Sequence, residues 1–274
     1  MVASCGLVAR RDKLGGETGE GSMRLDGARL LATGATAGIG FACAKAALAA
    51  GAETACLVGR DPERGRAAAA RLGPRARFLQ ADCADPAAVE RMAAEARDAM
   101  GGIDALVVSP GTTVLPELLK KLSLADIEAT LTRDLAPVLY VVRAAYPIMA
   151  KGGGGAIVGI ASDAGKVATP GESVIGAGMA AIVQFLRGVA IEGKRDGIRA
   201  NAVTPSLVEG TGLTDRLMEE GRFSAKLFAK ARSLADLGPT TPEDLAALCV
   251  FLLSPAAARI TGQAVSVNGG ISAA

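Results

Sequence analysis

The chain has 274 residues, with 30 Lys and Arg against 28 Asp and Glu, a net charge of +2 and no histidine. Half of its residues are hydrophobic and only 3% aromatic, enough to bury one sizeable core and too few aromatics to stack bases. The scattered basic residues argue against nucleic acid, which needs clustered phosphate contacts. The missing histidine excludes the commonest general base and metal ligand.

Residues 1–22, MVASCGLVARRDKLGGETGEGS, are rich in Gly, Ser and charge and hold no apolar run of secretion-signal length. They read as a flexible tail or an upstream start, before a single domain over 23–274. Short apolar runs follow at about 28–33, 54–59, 76–80, 103–109, 155–161, 198–203 and 263–267 and read as strands. Between them lie helical patterns at about 39–50, 62–72, 86–100, 123–150, 172–194 and 242–253. Near-continuous apolar strands joined by crossover helices predict an α/β fold, a doubly wound parallel sheet of the Rossmann type covered on both faces. Residues 206–238 interrupt this rhythm and are expected to form a helical insertion beyond the strands' carboxyl ends, where a substrate-side lid belongs. GAIVGIA and ALCVFLL are too short to span a membrane, and no segment has the length and purity of one. The five cysteines (Cys5, Cys43, Cys56, Cys83, Cys249) show no CxxC or metal spacing. Cys56 and Cys249 are expected in the core, and a reduced, cytoplasmic setting follows.

The first strand ends in Thr33-Gly34-Ala35-Thr36-Ala37-Gly38-Ile39-Gly40. Glycines there let the backbone turn sharply and approach a pyrophosphate at the start of the next helix. With this loop, Asp82 in QADCAD, IVGIASDAG at 157–165, IRANAVTPS at 198–206 and ITGQAVSVNGG at 260–270, the chain resembles a short-chain dehydrogenase/reductase from about residue 25 onward. The stretches IASDAGKVATPGES and ITGQAVSVNGG are most similar to the alicyclic hydroxyacyl-CoA dehydrogenases of that family. The resemblance implies NAD(P) as cofactor, held by Thr33, Gly34, Gly38, Ile39, Gly40, Arg60 and Asp82, and a catalytic Asn–Ser–Tyr–Lys set. Ser162 matches the serine. Ile175 stands at the tyrosine position, Met179 at the lysine position and Asp134 at the asparagine position, and Val108-Ser109-Pro110-Gly111 replaces the family's NNAG.

Isoleucine and methionine neither donate a proton nor hold a charge, so Ser162 is expected to be vestigial and nicotinamide binding weak or lost. Glu172, Asp163, Asp134 and Lys166 are the groups near the expected cleft that could replace the lost relay. The plainer reading is preferred: Glu172 caps a helix start, Asp134 is a polar helix residue and Lys166 is solvated. Gly59-Arg60 resembles the NADP-type turn, in which an arginine meets a 2′-phosphate. Two readings stay open. One is a non-catalytic subunit beside an active paralogue in a heteromeric, NAD-dependent hydroxyacyl-CoA dehydrogenase. The other is a family member with altered chemistry, either NAD(P)-linked with another proton donor or a non-redox acyl-CoA enzyme. The first implies a tetramer-type oligomer, assembled through the helices at 123–150 and 172–194 and the segment 260–274, with Phe185 and Val189 as candidate outward residues.

Overall fold

A computed structural model of the chain describes residues 23–274; the expected tail, 1–22, lies outside them. Seven parallel strands, β1 (Arg29–Thr33), β2 (Thr54–Gly59), β3 (Ala76–Gln80), β4 (Ala105–Val108), β5 (Gly155–Ile160), β6 (Ile198–Pro205) and β7 (Ala264–Val267), form one sheet in the order β3-β2-β1-β4-β5-β6-β7. The expected doubly wound fold is the observed one. Side chains alternate across the strands, so Leu31 faces one layer while Leu30 and Ala32 face the other. The first layer contains α3 (Pro86–Met100), α5 (Ala136–Gly152) and α6 (Ser173–Gly193); the second contains α1 (Gly38–Ala49), α2 (Pro62–Leu72) and α9 (Pro242–Leu253).

Local chemistry fixes the helix starts. Asp61 accepts from the Glu63 and Arg64 N–H groups ahead of Pro62, and Asp85 accepts from Ala87 N–H ahead of Pro86. Thr241 and Asp244 form a capping box around Pro242. Cys56 and Cys249 are fully buried, as expected.

Two expectations need correction. The helix expected over 123–150 is broken into α4 (Leu124–Ala129), a π-helical turn (Thr130–Leu135) and α5. Pro137 supplies no N–H to the carbonyl four residues back, and the extra residue in the turn absorbs that missing bond. The second concerns membrane spans. Residues 173–196 are helical throughout and, by length and composition, long and apolar enough to cross a membrane. This is a core helix: Ile175, Met179, Ile182, Val183, Leu186, Val189 and Ala190 are buried in the layer against the sheet.

The insertion over 206–238 holds α7 (Gly212–Leu217) and α8 (Phe223–Ser233), which close a small apolar cluster of Leu207, Leu217 and Phe228 beyond the end of β6. It sits on the side of the sheet where the loop after β1 also lies, because Thr211 packs against Gly38.

Candidate functional site

Strand order reverses between β1 and β4, and there the carboxyl ends of the strands open onto a cleft of about 830 Å³. Thr33, Gly34, Gly38 and Ile39 line it, as do Arg60 and Asp82. Gly34 has φ +62°, and a Cβ on it would lie 2.0 Å from the Ser109 carbonyl oxygen. Gly40 does not line the cleft; a Cβ there would lie 2.5 Å from the Gly34 carbonyl oxygen, so this glycine seats α1 behind the loop. Ala37, at the N-cap of α1, offers no side-chain cap, which leaves first-turn N–H groups for an anion. A glycine-rich turn that excludes side chains before an uncapped helix start fits a pyrophosphate.

Beside it lie Thr36 of the same loop, Gly59 and Arg60 at the end of β2, and Arg64 in the first turn of α2. Neither guanidinium forms an ion pair among the described residues, which suits a ligand phosphate. Asp82 accepts from Ala84 N–H (3.0 Å) and pairs with Arg133 (3.2 Å). Sequence reasoning missed Arg64 and Arg133. Arg64 lies in the first turn of α2, behind the Asp61-Pro62 helix start, a signal that could have placed it beside Arg60.

At the other end of the cleft stand Ser162, Glu172, Ile175 and Met179. The last three lie at i, i+3 and i+7, on one face of the start of α6. Ile175 and Met179 are 7% and 4% exposed, so the two substituted positions are inside the site and carry only carbon and sulfur. Ser162 follows β5, and its Oγ accepts from Ala164 N–H (3.2 Å), which leaves its own hydrogen for a ligand.

The other candidates do not line the cleft. Asp134 is buried in the π-helical turn and is no mere polar helix residue; it accepts from the Thr113 N–H (3.0 Å) and Oγ1–H (2.7 Å), pinning the loop after β4. Burial raises its carboxyl above the ordinary range, against the pull of those hydrogen bonds. Asp163 accepts from Ser266 and Ser272 (both 2.9 Å) and from Asn268, and pairs with Lys166 at 3.7 Å. Lys166 is not a solvated group; it donates to Ser266 and to the Ala274 carbonyl (2.6 Å). Asp163 and Lys166 therefore fasten the C-terminal segment to the loop after Ser162.

Glu172 is at the N-cap of α6, yet its side chain makes no capping bond; the capping reading fails. Burial raises its carboxyl to about 7, with the Thr169 hydroxyl opposing weakly. The folded state therefore keeps this proton to a higher pH than the unfolded chain, whose value is near 4.5. Between those two values the native state binds more protons, so stability falls as pH rises through the window and then levels. Glu172→Gln should remove that fall, making the variant more stable than the parent by on the order of 1–3 kcal/mol at pH 8 and nearly equal at pH 4.5. Urea denaturation at the two pH values checks this; an equal difference at both would refute it.

Four cysteines, Cys43, Cys56, Cys83 and Cys249, are free thiols. No group of three or more His, Cys, Asp or Glu side chains is placed to hold a metal among the described residues.

Comparison with known proteins agrees with this architecture. The sequence signature described as enoyl-(acyl carrier protein) reductase matches residues 34–272. D-threitol dehydrogenase of Mycolicibacterium smegmatis is 35% identical over 254 residues, covering 90% of this chain and 94% of that protein. The 3-oxoacyl-[acyl-carrier-protein] reductase FabG of Vibrio harveyi is 31% identical over 251 residues, covering 91% and 99%. A short-chain type dehydrogenase/reductase of Mycobacterium ulcerans superposes with a TM-score of 0.83 at 26% identity, covering 90% of each chain. The chain belongs to the short-chain dehydrogenase/reductase superfamily.

Proposed function

We propose that this chain is a nicotinamide-nucleotide-binding subunit that does not itself oxidise alcohols, and that it works beside a paralogue with an intact tyrosine and lysine. The observation that carries this reading is the pair Ile175 and Met179 on the cleft wall. Hydride transfer from an alcohol requires its hydroxyl proton to leave, and a positioned acid–base group contributes 10²–10⁴-fold to such steps. Neither side chain supplies one. Members of this superfamily bind NAD(P), and here the phosphate end of the cleft fits such a nucleotide. Arg60 and Arg64 favour a 2′-phosphate, hence NADP, while Met179 gives the nicotinamide ribose no ammonium. Similarity of 160–173 and 260–270 to hydroxyacyl-CoA dehydrogenases makes an acyl-CoA the proposed substrate of the assembly.

Restoring the pair tests the assignment. The variant Ile175→Tyr/Met179→Lys is expected to stay at least 100-fold below an intact homologue in kcat/KM, because Val108-Ser109-Pro110-Gly111 and Asp134 also differ. Full activity in that variant would show that the site has lost only two side chains.

The paralogue is proposed to dock on the outer faces of α5 and α6. Val189 is buried in the core, so it is not the outward residue that its position suggested, and Phe185 is half-buried. The outward positions of α6 include Gln184, Arg187, Gly188, Ile191 and Glu192; Ile191 is 65% exposed, and a Cβ on Gly188 would touch nothing. On the preceding helical stretch Leu131 and Tyr140 are exposed. Gly188→Glu and Ile191→Glu should leave the fold intact and abolish co-purification with the paralogue, as read by size-exclusion chromatography.

A further inference from the structure

We propose that Glu172 and Ser162 form a redox-neutral proton-transfer site, which exchanges the α-proton of an apolar carbonyl compound through its enolate. This goes beyond the subunit reading and depends on neither the nucleotide nor a partner.

Glu172, Ile175 and Met179 form one stripe of α6 facing the cleft, and Glu172 is the ionisable member. The loop that follows Ser162 is pressed onto the same stripe. A Cβ on Gly176 would lie 2.5 Å from the Ala164 carbonyl oxygen, and one on Gly165 would lie 2.7 Å from the Ala180 nitrogen. Only glycines allow this approach, which holds the loop after Ser162 against α6, and both Ser162 and Glu172 line the cleft. From the loop after β4 and from the insertion, the apolar Pro116, Leu213, Leu217 and Phe228 line the same cleft, together with Thr113, Thr214 and Arg216.

The neighbouring charges are engaged elsewhere. Asp163 and Lys166 bind each other and the C-terminal segment. Asp134 holds Thr113. Glu117, whose N–H donates to the Gly171 carbonyl, pairs with Lys121 at 3.7 Å. Arg216 on α7 donates to the Thr112 and Thr113 carbonyls. Glu172 thus has no ion-pair partner among the described residues, and burial is what places its proton near neutrality.

A carboxyl that is half-ionised near pH 7 in an apolar pocket acts as a base and then as an acid. In the forward step the substrate C–H bond breaks, its proton joins the Glu172 carboxylate, and the electron pair moves onto the carbonyl oxygen. The Ser162 hydroxyl donates a hydrogen bond to that oxygen. In the return step the carboxyl delivers a proton to carbon, either to the same atom or to a conjugated one. No oxidant or reductant is needed. The substrate class is an uncharged, enolisable ketone or an unsaturated carbonyl compound.

The test is α-proton exchange in D₂O, followed by ¹H NMR with the full chain and three ketones: cyclohexanone, 4-phenylbutan-2-one and 2-decanone. For at least one ketone, exchange should exceed that from an equal concentration of acetate and rise with pH through about 7, as Glu172 ionises. Glu172→Gln should lower the rate at least 100-fold. Glu172→Asp should retain part of it, which separates lost chemistry from lost fold. Ser162→Ala should lower it on the order of 100-fold without moving the pH inflection. Exchange no faster than acetate for all three ketones, a Gln variant within threefold of the parent, or a pH profile without that inflection would each overturn the proposal. None of those results would bear on dehydrogenation, which is assayed with NAD(P).

Discussion

Asp104→Ala should cost about 3–5 kcal/mol of folding stability. Asp104 is 6% exposed at the start of β4 and receives a forked bond from Arg29 at the start of β1, Nε to Oδ2 at 2.6 Å and Nη2 to Oδ1 at 2.8 Å. The Arg29 N–H adds a third bond at 3.1 Å. The pair lies at the amino ends of the central strands, away from the cleft. Removing the carboxylate leaves a guanidinium that is only 17% exposed with the Gly101 carbonyl as its remaining acceptor and no counter-charge in the pair, and a buried charge without its counter-ion costs more than the pair contributed. The expected fall in Tm is roughly 6–20 °C for a domain of this size. Nucleotide affinity of the folded fraction should be unchanged. The double variant Arg29→Met/Asp104→Leu should recover part of the loss, since it removes both charges, while the Arg29 N–H still loses its acceptor. Thermal and urea denaturation of the three proteins measure this; a double variant as unstable as the single one would place the cost in packing instead.

Gly34→Ala should remove nucleotide binding. The residue has φ +62°, which costs an L side chain about 1–2 kcal/mol, and its Cβ would lie 2.0 Å from the Ser109 carbonyl oxygen. The obstacle is backbone. Thr33 and Val108, the residues just before each, are paired in the sheet, so neither side can retreat without breaking the ladder. The loop must rise into the space of the pyrophosphate. We expect NADPH affinity to fall at least 100-fold, about 2.7 kcal/mol, as read by quenching or calorimetry. Retained affinity would show that the nucleotide does not use this loop.

Much of the fold was legible because parallel strands buried on both faces read as unbroken apolar runs: LLAT, ACLV, ALVV and AIVGI all fall within the observed strands or their first flanking residues. Caps such as Asp61-Pro62 and Asp85-Pro86 are local, and so are the helix starts they mark. The break at Thr130–Leu135 was harder to see, because it depends on Pro137 and on a bond from Thr113, 21 residues away. The site was half legible. Thirteen residues from Ser162 to Ile175 and four more to Met179 locate the cleft wall from spacing alone. The environment of Glu172 was not, since Phe228 and Leu217 join the lining of the same cleft from a later insertion. Asp163 and Lys166 were misplaced for the same reason: their partners Ser266, Asn268 and Ser272 lie about a hundred residues downstream.

The most direct measurement of the central claim uses the purified chain, first alone and then co-expressed with a paralogue bearing the intact tyrosine and lysine. NADPH binding and NAD(P)-linked oxidation of hydroxyacyl-CoA substrates are followed in both samples. The chain alone is predicted to bind the nucleotide without turnover, and the co-expressed pair to elute as one assembly that turns over. Robust NAD(P)-dependent oxidation by the chain alone would contradict the account, because it would require a proton path that Ile175 and Met179 do not offer.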